Sequence, residues 1–143
     1  WELMGACMPL CGFHERGSWP NSCNLNRYDD GWGSVGWHAD DEELFQGRRQ
    51  DCLIISLSLG HARSFQLRTW HDGGFQGSMH LEGGDLCTME GMMQKHYQHC
   101  VPKEYDSALG PRLNLTWRWI VAHGHNCPAL KSEPASQGFH SKK

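Results

Sequence analysis

Four short segments of this 143-residue chain carry side chains whose types and spacing could do chemistry. In Trp37-His38-Ala39-Asp40 an imidazole and a carboxylate stand two positions apart. On a strand, residues i and i+2 project from one face. A second histidine from a distant strand would complete two His and one carboxylate around a metal, the set used by non-haem Fe(II) oxygenases, with three positions left open. His-x-Asp by itself also arises by chance on solvated strands. The distal histidine is sought in Lys95–Pro102, where His99 leaves thirteen positions to Arg112, room for a turn through Pro102–Pro111. His96 falls on the opposite strand face.

The second constellation is Arg112-Leu-Asn-Leu-Thr-Trp-Arg118. Alternation puts Arg112, Asn114, Thr116 and Arg118 on one face, and Leu113, Leu115, Trp117 and Trp119 on the other. The apolar half reads as core. The polar half is a row of donors suited to a ligand with two carboxylates, because guanidinium meets carboxylate bidentately. Asn26-Arg27-Tyr28 adds an amide and a phenol on a shared face, a weak signal alone.

These segments need a scaffold of short strands. Seventeen glycines, about 12% against a usual ~7%, imply many tight turns. Strands are expected near Cys23–Tyr28, Val35–Asp40, Leu53–Leu59, Ser64–Trp70, Met79–Leu81, Asp85–Met89, His96–Val101 and Arg112–Ile120. Turns such as Gly73-Gly74 and Gly83-Gly84 separate them. No segment after residue 23 has a convincing 3.6-residue period, so the expected class is all-β with minor α, a sandwich or jelly roll. Residues 1–22 show no clear period and read as a truncated N-terminal segment, the chain opening on Trp1. Residues 23–120 form the expected domain, and residues 121–143 a polar, loosely ordered tail.

Composition narrows the function. Thirteen Lys+Arg against sixteen Asp+Glu give −3, neither a histone-like basic binder nor an acidic tail protein. Residues 1–90 hold six basic and thirteen acidic side chains, and residues 91–143 seven and three, so the C-terminal third could face an anion. With 38% apolar residues one core can form, and no run is long enough to span a bilayer. Seven cysteines without a C-x-x-C pair argue against a disulfide framework and for a reducing compartment.

Taken together, the order Asn-x-Tyr, His-x-Asp, His, Arg-x5-Arg resembles the AlkB family of Fe(II)- and 2-oxoglutarate-dependent nucleic-acid dealkylases. The likeness extends to Asn24–Tyr28, Trp37–Glu42, Ile55–Gly60, Arg63–Phe65, Met89–Gly91, His99–Glu104 and Arg112–Arg118, in the family's order across residues 23–120. It is greatest to the eukaryotic branch acting on 1-methyladenine and 3-methylcytosine. The resemblance implies a double-stranded β-helix with His38, Asp40 and His99 as iron ligands. It implies that Asn26, Tyr28, Arg112, Asn114 and Arg118 hold 2-oxoglutarate, with Arg112 on the distal carboxylate and Arg118 near the one beside the keto group. Asp41 and Glu42 match acidic positions near the flipped base. The implied cofactors are Fe(II), 2-oxoglutarate and dioxygen, and the implied products succinate, carbon dioxide and formaldehyde. The implied partner is alkylated DNA or RNA, acted on by a monomer in the nucleus or also the cytoplasm.

The family's substrate lid lies upstream of the Asn-x-Tyr strand, and only 25 residues precede Asn26. Two other readings therefore stand beside the first: the same cofactor chemistry on a protein or small molecule, and a non-catalytic β-scaffold. Cys7-x3-Cys11-x2-His14 does not have a common zinc spacing. Trp70, beside the loop His71–Ser78, is an aromatic that could reach the substrate mouth. Arg48, Arg49, Lys95 and Lys103 are candidates for phosphate contacts.

Overall fold

The computed structural model describes residues 1–106, 108–125 and 127. Its eight strands are β1 (Ser22–Tyr28), β2 (Val35–His38), β3 (Ile54–Gly60), β4 (Arg63–Thr69), β5 (Phe75–Leu81), β6 (Leu86–Met89), β7 (Tyr97–Val101) and β8 (Arg112–Arg118). They form two four-stranded sheets, ordered β1-β8-β3-β6 and β2-β7-β4-β5, with every neighbouring pair antiparallel. Successive strands β1 and β2 lie in different sheets, as do β2 and β3. This alternation winds the chain into the expected double-stranded β-helix.

Each of the eight predicted strands is present, with shifted ends. β2 stops at His38, two residues short of the expected Asp40, and its ladder with β7 is irregular between Val35 and His38. β5 starts at Phe75, four residues before the expected Met79, although Gln76-Gly77-Ser78 has little strand propensity of its own. Pairing along β4 from Arg63 to Arg68 imposes the extended form there. β7 starts at Tyr97 because Met93–His96 forms one short helix, α2. At the β3–β4 turn only glycine fits: Gly60 has φ +90°, and a Cβ there would lie 2.4 Å from the Pro111 carbonyl oxygen.

Two cores flank the β1-β8-β3-β6 sheet. Between the sheets lie Tyr28, Phe45, Ile54, Phe65, Leu81 and Val101. The second core gathers Ile55, Leu57 and Trp117 on the sheet's outer face and covers them with Cys7 and Met8. Those two residues come from helix α1 (Glu2–Cys7) and the 3-10 turn Met8–Cys11, which ends at the left-handed Gly12 (φ +85°). The segment without an evident period is therefore a cover for the sheet. Trp117 and, in part, Leu115 and Trp119 are core of this outer kind, whereas Leu113 is exposed, contrary to expectation; the polar half of β8 lines the space between the sheets.

Beyond β8, the backbone N–H groups of Val121 and Ala122 donate to the Leu44 carbonyl. The expected tail falls mostly outside the described residues, which beyond Ala122 include 123–125 and 127. Among the described residues, no helix is long and apolar enough to cross a membrane.

Candidate metal and cosubstrate site

The ladder between β2 and β7 pairs His38 with His99 directly, and the two rings lie 4.3 Å apart between centroids. Asp40 follows two residues beyond the end of β2, its Oδ1 lying 3.7 Å from His38 Nε2. One ligand atom from each of His38, Asp40 and His99 lies within 4.8 Å of the others. Among the described residues this is the only cluster of three such side chains at metal-ligating distance. Cys7 and Cys11 instead take part in the outer apolar packing.

Ring orientation prepares the donors. His38 Nδ1 donates to the Gly36 carbonyl at 2.8 Å, which leaves Nε2 with its lone pair toward the cluster. His99 stacks on Phe65 with centroids 5.3 Å apart. Burial, the facing His38 and nearby Arg118 push the His99 imidazole down to about 3. It is therefore neutral at any physiological pH, the form that binds a metal.

Asp40 is placed by something other than strand alternation. Its backbone N–H donates to Gln94 Oε1 at 3.0 Å, and Gln94, on α2, is wholly inaccessible to solvent. Gln94 Nε2 in turn donates to Met89 Sδ at 3.7 Å. Gly47 makes room for this contact: a Cβ there would lie 2.9 Å from both the Asp40 carbonyl oxygen and Gln94 Cβ. On the carboxylate side, Arg118 Nη1 reaches Asp40 Oδ2 at 3.0 Å, and its guanidinium lies 4.1 Å over the Phe45 ring.

β8 carries the polar row inward, with Arg112, Asn114, Thr116 and Arg118 all buried. Arg112 Nη2 donates to Ser58 Oγ at 2.8 Å, and Asn114 Nδ2 donates to Ser56 Oγ at 2.7 Å and to the Leu57 carbonyl at 3.1 Å. Thr116 Oγ1 donates to Asn114 Oδ1 at 3.1 Å. Asn114 is thus largely occupied in fixing the sheet. β1 pairs Tyr28 with Arg112 and Asn26 with Asn114, and both β1 residues line the same interior cavity as His38, Asp40, His99 and Arg112. Burial pushes the Tyr28 phenol up, partly offset by Arg112 and Arg63.

The donor set fits a dianion. Arg112 Nε and Nη1 and Arg118 Nε are buried with no hydrogen-bond partner in the protein. Each unmet buried donor costs about 1–3 kcal/mol, which a carboxylate would recover with a charge-assisted bidentate contact. Two imidazoles and a carboxylate suit Fe(II) equally well. The cavity itself is narrow, about 60 Å3, below the several hundred Å3 of ordinary small-molecule sites.

Three predicted residues, Arg118, Asp41 and Glu42, lie outside that cavity wall. Asp41 is ion-paired with Arg48, and the Glu42 carboxylate is largely solvated, 4.0 Å from Arg118.

Two further residues of the site, Gln94 and Arg63, have no role that spacing or residue type foretells. Arg63 is 1% exposed. It donates to the carbonyls of Asp30 (3.0 Å), Gly33 (2.8 Å) and Pro102 (2.7 Å), tying the β1–β2 and β7–β8 loops together. Its Nε is 3.5 Å from Glu104 Oε1, an ion-pair contact without hydrogen-bond geometry. The Tyr28 ring lies between two guanidinium groups, 5.5 Å from Arg63 and 5.2 Å from Arg112. The only sequence signal was the Arg63-Ser-Phe65 stretch. Nothing in the sequence says that loop carbonyls will converge there.

The 2OG-Fe(II) oxygenase superfamily model matches residues 6–118. Human alpha-ketoglutarate-dependent dioxygenase alkB homolog 3 is 39% identical over 117 residues, 76% of this chain and 39% of the relative. The DNA oxidative demethylase ALKBH2 of Arabidopsis thaliana is 33% identical over 127 residues, 73% of this chain and 39% of the relative. The chain thus spans about 39% of the length of these curated relatives. The solved structure of OsALKBH1 shares the fold at TM-score 0.59 and 22% identity, covering 82% of this chain and 60% of that one. With His38, Asp40 and His99 gathered beside an inward row of arginines, the chain belongs to the 2OG-Fe(II) oxygenase superfamily, in its AlkB family.

Proposed function

We propose that this protein oxidatively removes N-methyl groups from bases of DNA or RNA, with 1-methyladenine and 3-methylcytosine as the expected lesions. The single observation carrying the reading is the convergence of His38, Asp40 and His99 with a buried guanidinium, Arg112, that keeps two unpartnered donors. The names of its relatives, a dioxygenase and a DNA oxidative demethylase, support the substrate class.

Bound Fe(II) and 2-oxoglutarate would activate dioxygen, the oxidant: one oxygen atom would leave in succinate as the keto-acid loses carbon dioxide, and the other would hydroxylate the methyl group, whose carbon leaves as formaldehyde. The chain's residues bind and orient. His38, Asp40 and His99 would hold the metal through two imidazole nitrogens and one carboxylate oxygen. Arg112 and Tyr28 hold the distal carboxylate of the keto-acid, with Asn26 and Arg118 contributing at the other end. Arg118 also holds the Asp40 carboxylate, so cosubstrate and metal ligand share one guanidinium. Asp41 and Glu42 stand beside the ligand Asp40, where a carboxylate can accept from the exocyclic amine of a base. An N-methylated base pairs poorly, which lowers the cost of extruding it from a duplex.

All seven cysteines are free thiols, which supports a reducing compartment, the nucleus or cytoplasm, for a protein proposed to act as a monomer. The test is formaldehyde release from a 1-methyladenine or 3-methylcytosine oligonucleotide, dependent on both Fe(II) and 2-oxoglutarate. Turnover of a methylated peptide in place of the oligonucleotide overturns the substrate class. Succinate release absent with every substrate leaves the non-catalytic scaffold.

A further inference from the structure

The outer face of the β2-β7-β4-β5 sheet carries a feature that the metal site does not use. β4 ends in Arg68-Thr69-Trp70, and register places Arg68 between Gln98 of β7 and Phe75 of β5. Since His99 and Phe65 point inward, Gln98 and Arg68 point outward. Arg68 lies 4.5 Å over the Trp37 ring and donates through Nε and Nη2 to Gln98 Oε1 at 2.8 and 2.6 Å. Phe75 is 62% exposed.

At the rim, Trp70 is anchored by its backbone N–H to the His96 carbonyl at 2.8 Å. Its ring carries the Arg48 guanidinium 4.4 Å from the centroid, and Arg48 pairs with Asp41, the neighbour of ligand Asp40. A row of Trp37, Arg68 and Phe75 therefore runs across the sheet, and the pair Trp70 and Arg48 continues it toward the metal ligands.

The charges favour one occupant. Arg27, Arg48, Arg49, Arg63 and Arg118 each have a carboxylate within 4.0 Å. Arg68 has none among the described residues and is held by a neutral amide instead. An uncompensated guanidinium over the half-buried Trp37 ring, beside the exposed Phe75, offers a phosphate contact and a stacking surface together, the combination that holds single-stranded nucleic acid. The opposing charge in this hairpin is Asp72, engaged with Thr69 and the Gly74 N–H within the turn.

We propose that the end of the β4–β5 hairpin, with Arg68, Trp70 and Phe75, is a docking surface for single-stranded nucleic acid flanking the base under repair. It rests on the function proposed above and adds the path by which the strand approaches the metal. None of the three residues touches the metal or cosubstrate set.

The experiment measures binding of a fluorescein-labelled single-stranded oligonucleotide by anisotropy across a salt series, for the iron-loaded protein and for Phe75→Ala, Trp70→Ala and Arg68→Gln. Each aromatic truncation is expected to weaken binding about 5- to 100-fold, the range of one lost base stack. Arg68→Gln is expected to reduce the slope of log K against log salt by about one. Oligonucleotide-independent 2-oxoglutarate consumption should stay at the wild-type rate in all three, reporting an intact site. Binding and salt slope unchanged in the three variants, while the wild type demethylates the methylated oligonucleotide, overturns the docking surface and leaves the function standing. Variant-sensitive binding without formaldehyde release by the wild type keeps the surface and overturns the demethylase reading.

Discussion

Gln94 Oε1 accepts the backbone N–H of Asp40 at 3.0 Å, so a residue of the helix before β7 fixes the carboxylate that follows β2. The contact joins the two strands that bear the histidines, since His99 is five residues beyond Gln94 and His38 two residues before Asp40. Replacing Gln94 with Met keeps the buried volume and removes the acceptor. Support of this kind around a metal ligand is worth about 10–100-fold in affinity. Calorimetric titration with Mn(II) should show that loss with the circular dichroism spectrum unchanged. Equal affinity would reduce Gln94 to packing.

The cosubstrate arginine gives a separable result. Arg112→Met should raise the KM for 2-oxoglutarate by about 100-fold or more, because a charge-assisted bidentate contact in a buried site is lost. Mn(II) affinity should be unchanged, since Arg112 belongs to the β8 row and makes its hydrogen bond to Ser58. A variant with wild-type KM removes Arg112 from the cosubstrate site.

Asp40→Ala should abolish Fe(II) retention after desalting, leaving two imidazoles that hold the metal weakly. The same change strips Arg118 of its 3.0 Å carboxylate partner and leaves it only the largely solvated Glu42 at 4.0 Å; breaking a buried ion pair destabilises by up to about 3–5 kcal/mol. A lower urea midpoint together with metal loss is the expected pair of readings. Full iron content measured by atomic absorption contradicts the ligand set.

The pH dependence of the metal-free protein follows from His99. Its folded imidazole is pushed down to about 3, against an ordinary value of about 6.5. Between those values the unfolded chain takes up a proton that the folded one does not, so stability falls as pH drops below about 6.5 and continues falling until about 3. The slope from this one group reaches about 1.4 kcal/mol per pH unit. Urea midpoints at pH 7, 5 and 4 should decline, and less steeply in His99→Gln. Parallel curves for the two proteins would show that His99 is not the buried neutral group.

The N-terminal segment is predicted to contribute to stability through the outer core. Met8 is fully buried against that face of the sheet, and Met8→Ala should cost about 2–5 kcal/mol in urea unfolding. The KM for 2-oxoglutarate should not change, because the contact lies on the opposite face of the sheet from Arg112. An unchanged urea midpoint would mean that residues 1–11 do not pack on the sheet in solution.

The sequence by itself determined the strand-rich class and which face of its own strand each side chain takes, because alternation is a local property of extended backbone; that the separate segments meet was implied by the family resemblance. His38, Asp40, His99, Arg112 and Arg118 were legible from spacing and family resemblance, and the inward face of β8 followed from period two. Tertiary structure decided the rest. The pairing of His38 with His99 depends on the β2–β7 register, and Asp40 is aimed by an amide 54 residues away rather than by a continuing strand. The outer core exists because β3 and β8 expose an apolar face that residues 1–11 cover, though those residues carry no period of their own. Arg63 acquires its role only where the carbonyls of two distant loops converge. Contacts of that kind are set by how the sheets close on each other, which no local pattern of residue types encodes.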